Sequence, residues 1–396
     1  MKLSICLHYY KSSILFLLLF LLSSCTGSQE KVTILIENTQ PYDRLSELVE
    51  IPILQIQNYI SWSDQKKLVV INSRGEIIPS QITYNGLLIF ESGLKANSKE
   101  KFTLQKGDQQ KEQDYFVDAK FRPDRKGDFS WENNRVGFRF YGKELMASDG
   151  PSNGLDLFLK RTDKLVLDKW YYNDINQIES YHEDHGEGCD PYSVGRTLGA
   201  GACGLFVRDS LYLNDNYESY EILDEGPLRT TFVLRYPSLI LDGEEVSDVK
   251  KISLDINSQL SKIEQSYQVE NKTPLAVGIV KRSKGDSIVV DTENRFMLYQ
   301  EPEDTTNGVV YVGVIIPSGI DSVKVYNYDY VHPISGQKQK LANTLAFTTS
   351  LPVYGSTYYA GYGWSKYGFE NMEEFLRYLR NFSLSLKNPL QITFNE

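Results

Sequence analysis

The hydrophobic positions of this chain fall mostly in short runs with the period of β-strands. Val32–Ile36 and Leu87–Phe90 are bounded by Gly, Asn, Ser or Lys, and Arg135–Tyr141 alternates large apolar with polar side chains. Alternation of this kind is typical of a half-buried antiparallel strand. Short runs separated by turn signals predict a β-sandwich. Runs of the same style are 155–159, 165–171, 229–236, 261–270, 296–300, 309–316 and 345–350.

One helix is predicted near the end of the chain, from Glu370 to Ser385. Its apolar residues recur at steps of three and four and so share one face. They are Met372, Phe375, Leu376, Leu379 and Phe382. Acids in the first turn and arginines in the later turns complement the helix dipole. We therefore predict an all-β protein, an antiparallel β-sandwich or supersandwich with a small N-terminal β-sandwich domain and a C-terminal helix.

The first 24 residues have the pattern of a signal peptide. Lys2 and Lys11 precede the apolar run Ile14–Leu22, which is too short to span a bilayer. The sequence Leu22-Ser23-Ser24-Cys25 is similar to a bacterial lipobox and predicts Cys25 as the lipidated first residue of the mature protein. The alternative is an ordinary cleaved signal followed by an incidental cysteine. The lipobox predicts a lipoprotein of the cell envelope, facing the periplasm and attached by default to the outer membrane.

The remainder divides into a tether and two domains. Residues 25–31 form a polar tether, and residues 32–115 carry the first series of strand-like runs. The stretch Lys106–Asp118 is charged and lacks apolar periodicity, so it is the best candidate for a linker. We therefore predict an N-terminal β-sandwich over 32–115 and a supersandwich catalytic domain over 116–396.

The charge balance excludes one class of partner. The chain has 42 Lys and Arg against 52 Asp and Glu, a net charge of −10. Removing residues 1–24 removes two lysines and no acid, which leaves 40 against 52, or −12. A surface with this balance does not attract nucleic acid. An anionic substrate would need a local cluster of cations or a metal ion.

The segment Tyr181–Gly204 is the strongest candidate for a functional site. Two of the three histidines that follow the signal peptide, His182 and His185, lie here with four acids and six glycines. Glycine allows positive φ and close approach of the backbone to a ligand. Turn-rich segments on a rigid β-scaffold commonly carry binding and catalytic groups.

Two functional interpretations of this segment remain open. In the first, imidazole and carboxylate groups bind a divalent metal, the one cofactor that the sequence suggests. That set is His182, His185, Glu187 and Asp190. In the second, the histidines and Tyr192 transfer protons, while Arg196 pairs with a substrate carboxylate. The structural alternative is a surface loop with solvated acids and hydrogen-bonded histidines.

Two cysteines and a third histidine extend these possibilities. Cys189 and Cys203 would form a disulfide in an oxidising envelope, or remain as two buried thiols. His332 precedes Pro333, which usually marks the extended end of a loop. His332 would join the catalytic set if the strand topology brought it across to the 181–196 loop.

Aromatic residues are dense on either side of this segment. Trp170 and Tyr172 precede it, and Trp364 ends the late cluster that begins at Tyr358. Exposed aromatic faces stack on sugar rings, but buried aromatics also fill the cores of β-sandwiches. Trp170, Tyr172 and Trp364 are therefore candidate substrate-binding residues.

An ordered series of motifs resembles one protein family over nearly the whole chain. The motifs are Glu132–Gly142, Ser152–Asp156, Lys169–Tyr171, Tyr181–Gly204 and Glu225–Arg229. They are similar to those of a family of secreted Bacteroidota proteins common beside pectin- and uronate-degrading enzymes. The resemblance implies a galactose-mutarotase-like supersandwich. The family includes an oligosaccharide dehydratase that acts on ulvan fragments.

What the resemblance implies is elimination of water from the non-reducing-end glucuronate or iduronate of an oligosaccharide. The product would be a 4,5-unsaturated uronate. Such a reaction needs a cation or metal to neutralise the carboxylate, a base for the C5 proton and an acid for the departing C4 hydroxyl. The alternatives are a polysaccharide lyase on the same substrates, a non-catalytic glycan-binding lipoprotein, and a mutarotase or glycosidase.

Overall fold

The structure, a computed structural model, describes residues 31–60, 68–107, 115–268, 273–282, 284–348 and 355–395. The predicted signal peptide, Cys25 and most of the predicted tether lie outside these ranges. Within them, none of the helices is both long and apolar enough to cross a membrane.

The fold is built from antiparallel sheets, and every pair of named strands in the described ranges is antiparallel. The all-β prediction is therefore confirmed. The first eight strands are β1 (Lys31–Asn38), β2 (Arg44–Pro52), β3 (Leu68–Ile71), β4 (Ile77–Ile78), β5 (Ser80–Ile82), β6 (Leu87–Leu94), β7 (Ser98–Lys106) and β8 (Val117–Arg122). The next nine are β9 (Asp128–Asn133), β10 (Gly137–Phe140), β11 (Asp156–Lys160), β12 (Gly188–Cys189), β13 (Ala200–Val207), β14 (Ser210–Tyr212), β15 (Ser219–Glu225), β16 (Arg229–Leu241) and β17 (Glu244–Asp255). The remaining strands are β18 (Leu260–Tyr267), β19 (Leu275–Val280), β20 (Ser287–Asp291), β21 (Phe296–Gln300), β22 (Val310–Ile315), β23 (Ser322–Val331), β24 (Lys338–Thr348), β25 (Ser356–Trp364) and β26 (Gln391–Asn395).

The N-terminal part is a small sandwich of two sheets. One sheet has the order β26-β1-β7-β3-β4 and the other β2-β6-β5, with an apolar core between them that includes Ile34, Phe90 and Phe102. The last strand, β26, pairs with β1, so the chain ends in the sheet in which the described residues begin. The division into two domains at residue 115 stays a prediction. Residues 391–395, although late in the chain, belong to the N-terminal sandwich.

The larger part contains three further sheets around one core. Their orders are β12-β11-β10-β9-β8, β14-β13-β19-β24-β23 and β15-β16-β17-β18-β25-β22-β21-β20. Phe129, Trp131, Phe138 and Phe140 project from β9 and β10 into this core and are at most 1% exposed. The opposite face of the same strands is also buried, although the alternation in Arg135–Tyr141 had predicted that it would face solvent.

The helices cover two of these sheets. They are α1 (Ile53–Ile56), α2 (Met146–Asp149), α3 (Leu167–Ile175) and α4 (Met372–Lys387). Helix α4 confirms the predicted C-terminal helix; its N-cap Asn371 accepts a hydrogen bond from the Glu374 N–H at 3.2 Å. Helix α3 overturns the strand predicted over 165–171, because Leu167, Trp170 and Tyr171 are buried at helical spacing.

Candidate active site on a buried charged sheet face

One face of the β8–β11 sheet is lined with charged side chains, which we call the charged face. Strand register places these residues on the same side, since Arg139 lies opposite Ser130 and Asp156, and Arg122 lies opposite Asp128. The charged face comprises Arg122, Asp128, Ser130, Glu132, Arg139, Asp156 and Lys160, all at most 9% exposed. Helix α3 and the segment around Tyr181 cover it.

Arg139 lies at the centre of the charged face. Its Nε donates to Asp156 Oδ2 at 3.0 Å, and its Nη2 donates to Asp156 and, at 2.8 Å, to Asp190 Oδ2. Asp128 Oδ2 lies 3.6 Å from Nη1, so three carboxylates surround one guanidinium. The same guanidinium approaches two phenol oxygens, at 3.4 Å for Tyr141 and 3.3 Å for Tyr181.

Burial of these groups changes their protonation. Burial raises the pKa of Asp190 to about 7 and that of Asp128 to about 6, although Arg139 opposes both shifts. Burial works against the charge of Arg139, but Tyr141, Asp156 and Asp190 outweigh it and raise the pKa of the guanidinium. Arg139 therefore stays charged, while Asp190 holds a proton in part of the molecules at neutral pH.

Two carboxylate oxygens beside Arg139 have no hydrogen-bonding partner within the described part of the chain. They are the Oδ1 oxygens of Asp128 and Asp190. The buried Arg122 Nη2 and Tyr171 hydroxyl beside them are also unpaired. Buried polar atoms are normally paired, so these are positions for ordered water or for atoms of a ligand.

Glu132 and Lys160 form a second buried pair at the far end of the charged face, and their role is structural. Lys160 Nζ donates to Glu132 Oε2 at 2.5 Å. Glu132 Oε1 accepts from the Leu167 N–H at 2.7 Å and the Val166 N–H at 2.9 Å. A carboxylate from β9 thus caps the N-terminus of α3 and favours the helix dipole.

Three partly or fully exposed side chains lie at the rim of the charged face: Arg125, Tyr141 and His182. Arg125 Cζ lies 5.4 Å from the ring centroid of Tyr181, and within the described residues no carboxylate lies within ion-pair distance of it. The Tyr141 hydroxyl donates to Asp156 Oδ2. Burial, opposed by Arg139, raises the pKa of Tyr141 well above its usual value, so the phenol keeps its proton.

His182 is oriented by the segment that covers the charged face. Its Nδ1 lies 2.9 Å from the backbone carbonyl oxygen of Asp190, which requires a proton on Nδ1. In the neutral imidazole, Nε2 then carries the lone pair. The imidazole also lies beside the Tyr181 ring, at 4.6 Å between centroids, and its Nδ1 is 3.7 Å from Asp190 Oδ2. His182 is thus joined to Arg139 through Asp190.

A glycine allows this segment to return to the sheet. Gly188 has φ +120°, and a Cβ there would lie 1.9 Å from the carbonyl oxygen of Leu159. The close approach lets β12 pair with β11, with Cys189 opposite Leu159. It also places Asp190 beside Arg139.

The predicted metal set is not assembled. His182 and Asp190 are in contact, but His185 Nε2 lies 3.2 Å from the Ser180 carbonyl oxygen, and Glu187 Oε2 accepts from Lys169 Nζ at 2.8 Å. No group of three or more His, Cys, Asp or Glu in the described ranges has the geometry to hold a metal ion. In this structure, separate partners on the chain hold the side chains of the predicted metal set apart, and the metal interpretation stays a prediction without support from the geometry of the described residues.

Arg196 and His332 also have other roles than those predicted. Arg196 donates to the carbonyl oxygens of Asn214 at 2.6 Å and Leu213 at 3.0 Å, so it holds a loop together. His332 Nε2 lies 3.0 Å from the Asp149 carbonyl oxygen, and its Nδ1 accepts from backbone N–H groups of its own turn. Within the described ranges, neither side chain contacts His182.

Tyr192 is buried beneath a different cation. Arg282 Cζ lies 5.2 Å from its ring centroid, and Arg282 Nε donates to Glu301 Oε2 at 2.7 Å. Burial, together with the charge of Glu301, raises the pKa of Tyr192 well above its usual value. Tyr192 is 9% exposed, and it does not contact the histidines with which it was grouped.

The two cysteines are free thiols on different sheets, which corrects the suggested disulfide. Cys189 lies on β12, with its Sγ 3.6 Å from Asn307 Oδ1. Cys203 lies on β13, with its Sγ 3.1 Å from Gln265 Oε1. Because β12 and β13 belong to separate sheets, the thirteen residues between the cysteines do not bring the sulfurs together.

The aromatic candidates are mostly core residues. Trp170 is 7% exposed against Phe158, and Trp364 is 1% exposed, with its Nε1 donating to the Asn307 carbonyl oxygen at 2.6 Å. Tyr172 is 62% exposed on the outer side of α3. A continuous aromatic platform from these three residues is therefore absent.

The sequence reasoning missed Arg125, Tyr141, Arg139 and Asp156. Tyr141 and Arg139 lay inside a motif used for the family resemblance, and Asp156 ended another, but neither motif carried a chemical assignment. Arg125 gave no signal, because it lies more than fifty residues before His182 and follows a charged stretch. Only the fold brings it over Tyr181.

A family model described as a domain of unknown function, DUF4861, matches residues 36–392. The chain belongs to the DUF4861 family. A relative from Formosa agariphila, called uncharacterized protein P7, is 27% identical over 412 residues, covering 99% of this chain and 100% of the relative. The name of this relative assigns no activity.

Two of the solved structures similar to this DUF4861 chain come from Enterococcus faecalis. A protein in glycosyl hydrolase family 38 has a TM-score of 0.48 at 11% identity, covering 93% of this chain and 48% of its own. An alpha-mannosidase of strain V583 has a TM-score of 0.44 at 10% identity, covering 93% and 46%. The chain spans about half the length of each.

Proposed function

We propose that this DUF4861 protein is a carbon–oxygen lyase on oligosaccharides that end in a uronic acid, and most specifically a dehydratase. The reaction removes water across C4 and C5 of the non-reducing-end glucuronate or iduronate, as in ulvan fragments. The observation that carries the proposal is the rim of the charged face. There an unpaired arginine, a protonated phenol and an imidazole with a free nitrogen surround one buried acidic cluster.

Arg125 is the group that would bind the substrate carboxylate. Its guanidinium lies over the Tyr181 ring, and His182 packs against the same ring. Within the described residues no carboxylate lies within ion-pair distance of it, and Asp128 and Asp190 act on it only over a longer distance. Neutralising the carboxylate makes the C5 proton more acidic, because the developing negative charge is delocalised into that group. Arginine can bind both carboxylate oxygens at once and so orient the sugar ring.

His182 and Tyr141 have complementary proton-transfer roles. His182 Nε2 carries a lone pair because Nδ1 is bonded to the Asp190 carbonyl oxygen, so it accepts the C5 proton. Tyr141 keeps its proton and gives it to the C4 hydroxyl as the C4–O bond breaks, releasing water. The electron pair of the broken C5–H bond forms the second bond between C4 and C5.

Asp190, Arg139 and Asp156 position these two groups. Arg139 Nη2 contacts Asp190 on one side and Asp156 and Tyr141 on the other, so one guanidinium fixes the base and the acid relative to each other. A site held by buried, hydrogen-bonded side chains needs little rearrangement during the reaction.

The test is incubation of the purified protein with size-defined uronate oligosaccharides, including ulvan-derived ones. We expect new ultraviolet absorbance from the conjugated double bond and a mass lower by one water with no shortening of the chain. Shortening by a sugar would identify a polysaccharide lyase instead. Absence of new absorbance on every uronic substrate, with binding retained, would favour a non-catalytic glycan-binding protein.

We also propose that Cys25 carries a lipid anchor and that the protein faces the periplasm. The lipobox-like sequence supports this placement. Incorporation of labelled palmitate in cells that express the full chain should disappear in Cys25→Ser. Equal labelling of both forms would contradict the anchor.

A further inference from the structure

A groove lies between the N-terminal sandwich and the eight-stranded sheet, away from the charged face. Its volume is about 720 Å³, within the range of sites for small ligands and oligosaccharides. One wall is the N-terminal sandwich with Leu45 and Tyr84, the other is helix α4 with Phe382 and Ser385, and the floor is the outer face of β16, β17, β18 and β25. We propose that this groove is a second binding site, for an acidic oligosaccharide.

The walls of the groove are fixed with respect to each other. Arg44 Nη1 donates to the Asn388 carbonyl oxygen at 2.7 Å, which joins the N-terminal sandwich to the end of α4. The Gln81 side chain donates to the Arg229 carbonyl oxygen at 2.9 Å and accepts from the Arg229 N–H at 2.8 Å. Arg229 Nη2 also donates to Glu50 at 2.6 Å. The groove is therefore preformed, which lowers the entropic cost of binding.

The floor presents an aligned row of polar side chains. Strand register places Ser253 opposite Lys262, and Lys262 opposite Tyr359. Thr231, opposite Ser253 on the next strand, is 1% exposed and its Oγ1 lies 3.1 Å from Ser253 Oγ, so it supports the row from below. At a strand spacing of about 4.8 Å the accessible row spans about 10 Å, the length of about two sugar rings. Hydroxyl, ammonium and phenol groups in one row can hydrogen-bond successive sugar hydroxyls.

The sheet position of the floor favours a sugar over a peptide. Strands β16, β17, β18 and β25 are all internal in the sheet, so their backbone groups already pair with neighbouring strands. An added peptide strand needs a free edge. Any ligand on this floor is recognised by side chains alone, as a sugar chain is.

Two side chains define the chemistry of the ligand. Lys262 is the least neutralised cation of the floor, since its nearest carboxylate, Glu264, is 3.9 Å away and also pairs with Lys251 at 3.0 Å. Asp224 is 6% exposed, and its Oδ2 has no hydrogen-bonding partner in the described residues. Lys262 suits a sugar carboxylate or sulfate, and Asp224 suits a sugar hydroxyl. The 46% exposed ring of Tyr84 offers a stacking face beside Asp224.

The choice of an oligosaccharide rests partly on the proposed function, and the test separates the two. Binding sites are counted by native mass spectrometry and titration calorimetry with one ulvan-derived oligosaccharide, using the full chain with His182→Ala so that the ligand is not consumed. We expect two sites. Adding Tyr84→Ala and Lys262→Ala should weaken one of them by about tenfold or more.

The matched control is Tyr220→Ala in the same background, since Tyr220 is 43% exposed at a different surface. It should leave both sites intact. A single site that Arg125→Ala removes and the groove variants leave unchanged would overturn the groove inference while sparing the proposed function. A site that only the groove variants weaken, in a protein without elimination activity, would support the groove and reject the dehydratase.

Discussion

Two of the buried charge clusters in the described residues can be compared, and their difference separates a scaffold from a candidate site. The sealed cluster, formed by Asp248, Lys250, Gln265, Asn214 and Tyr236, lies inside the larger core. Lys250 Nζ is 3.2 Å from Asp248 Oδ1 and 3.4 Å from the Tyr236 ring centroid. Gln265 and Asn214 donate to the same carboxylate at 2.7 and 3.1 Å. In the sealed cluster, the charge of one carboxylate is thus balanced by the charge of one ammonium group.

The charged face differs in balance and in access. Three carboxylates surround Arg139, two of them with an unpaired oxygen, and His182, Arg125 and Tyr141 connect the cluster to solvent. Perturbed pKa values and unpaired polar atoms at an accessible surface are typical of functional sites, whereas a balanced, sealed pair is typical of a structural one. Solvent access and the excess of carboxylates over cations together distinguish the charged face from the sealed cluster.

Removing the Tyr141 hydroxyl should give the largest effect. Tyr141→Phe deletes the proposed acid but keeps the ring, so the elimination rate should fall by about 10²–10⁴-fold. Initial rates from ultraviolet absorbance measure it. Tyr236→Phe in the sealed cluster is the control and should keep the wild-type rate. Equal activity of Tyr141→Phe and wild type would remove Tyr141 from the mechanism.

Breaking the sealed pair should affect folding and not chemistry. Lys250→Met leaves the Asp248 carboxylate buried without its cation, so the free energy of unfolding should fall by about 3–5 kcal/mol. Urea denaturation measures this loss. The rate per folded molecule should be unchanged. The double variant Lys250→Met with Asp248→Asn should recover part of the stability, and a failure to recover any would show that the pair is not what holds this region.

Loss of Arg125 should weaken substrate binding more than turnover. A charged hydrogen bond contributes about 1.5–3 kcal/mol, so Arg125→Ala should raise KM by roughly 10–100-fold. Steady-state kinetics separate KM from kcat. Arg208→Ala is the control, since Arg208 is an exposed arginine paired with Asp242 at 2.8 Å. An unchanged KM would show that Arg125 does not bind the substrate carboxylate.

The smallest effect concerns pH and stability. Asp190 has a pKa of about 7 in the folded protein against an ordinary value of 3.8, so the folded state binds its proton more tightly. The free energy of unfolding should therefore fall as pH rises from about 4 to about 7. Asp190→Asn should reduce this fall by about 1 kcal/mol or more. Denaturation at several pH values measures it; an unchanged profile would show that Asp190 is not the titrating group.

Local patterns predicted the class of fold well. Short apolar runs with turn signals predicted the antiparallel strands, and the stripe from Met372 to Phe382 predicted α4, because both signals depend only on neighbours along the chain. The strand predicted over residues 165–171 was wrong, because the apolar residues of this run suit either a strand or a helix. The carboxylate that caps this helix, Glu132, comes from β9, and no local pattern shows it.

The candidate site was predicted only in its location near Tyr181. His182 was identified from histidine scarcity and neighbouring glycines, but its supposed partners Tyr192, Arg196 and His332 bind elsewhere. Sequence proximity suggested Arg196 as the cation, whereas the turn after β8 provides Arg125. Residue type indicates what chemistry a group can perform, but not which groups meet.

The sequence by itself determined the strand-rich architecture, the C-terminal helix and the surplus of acid, because each follows from composition or from residues close in the chain. The tertiary structure alone decided that both faces of the β8–β11 sheet are buried, that three aspartates meet one arginine, and that the two thiols stay apart. Contacts between distant segments arise when sheets pack, and packing depends on the whole chain at once.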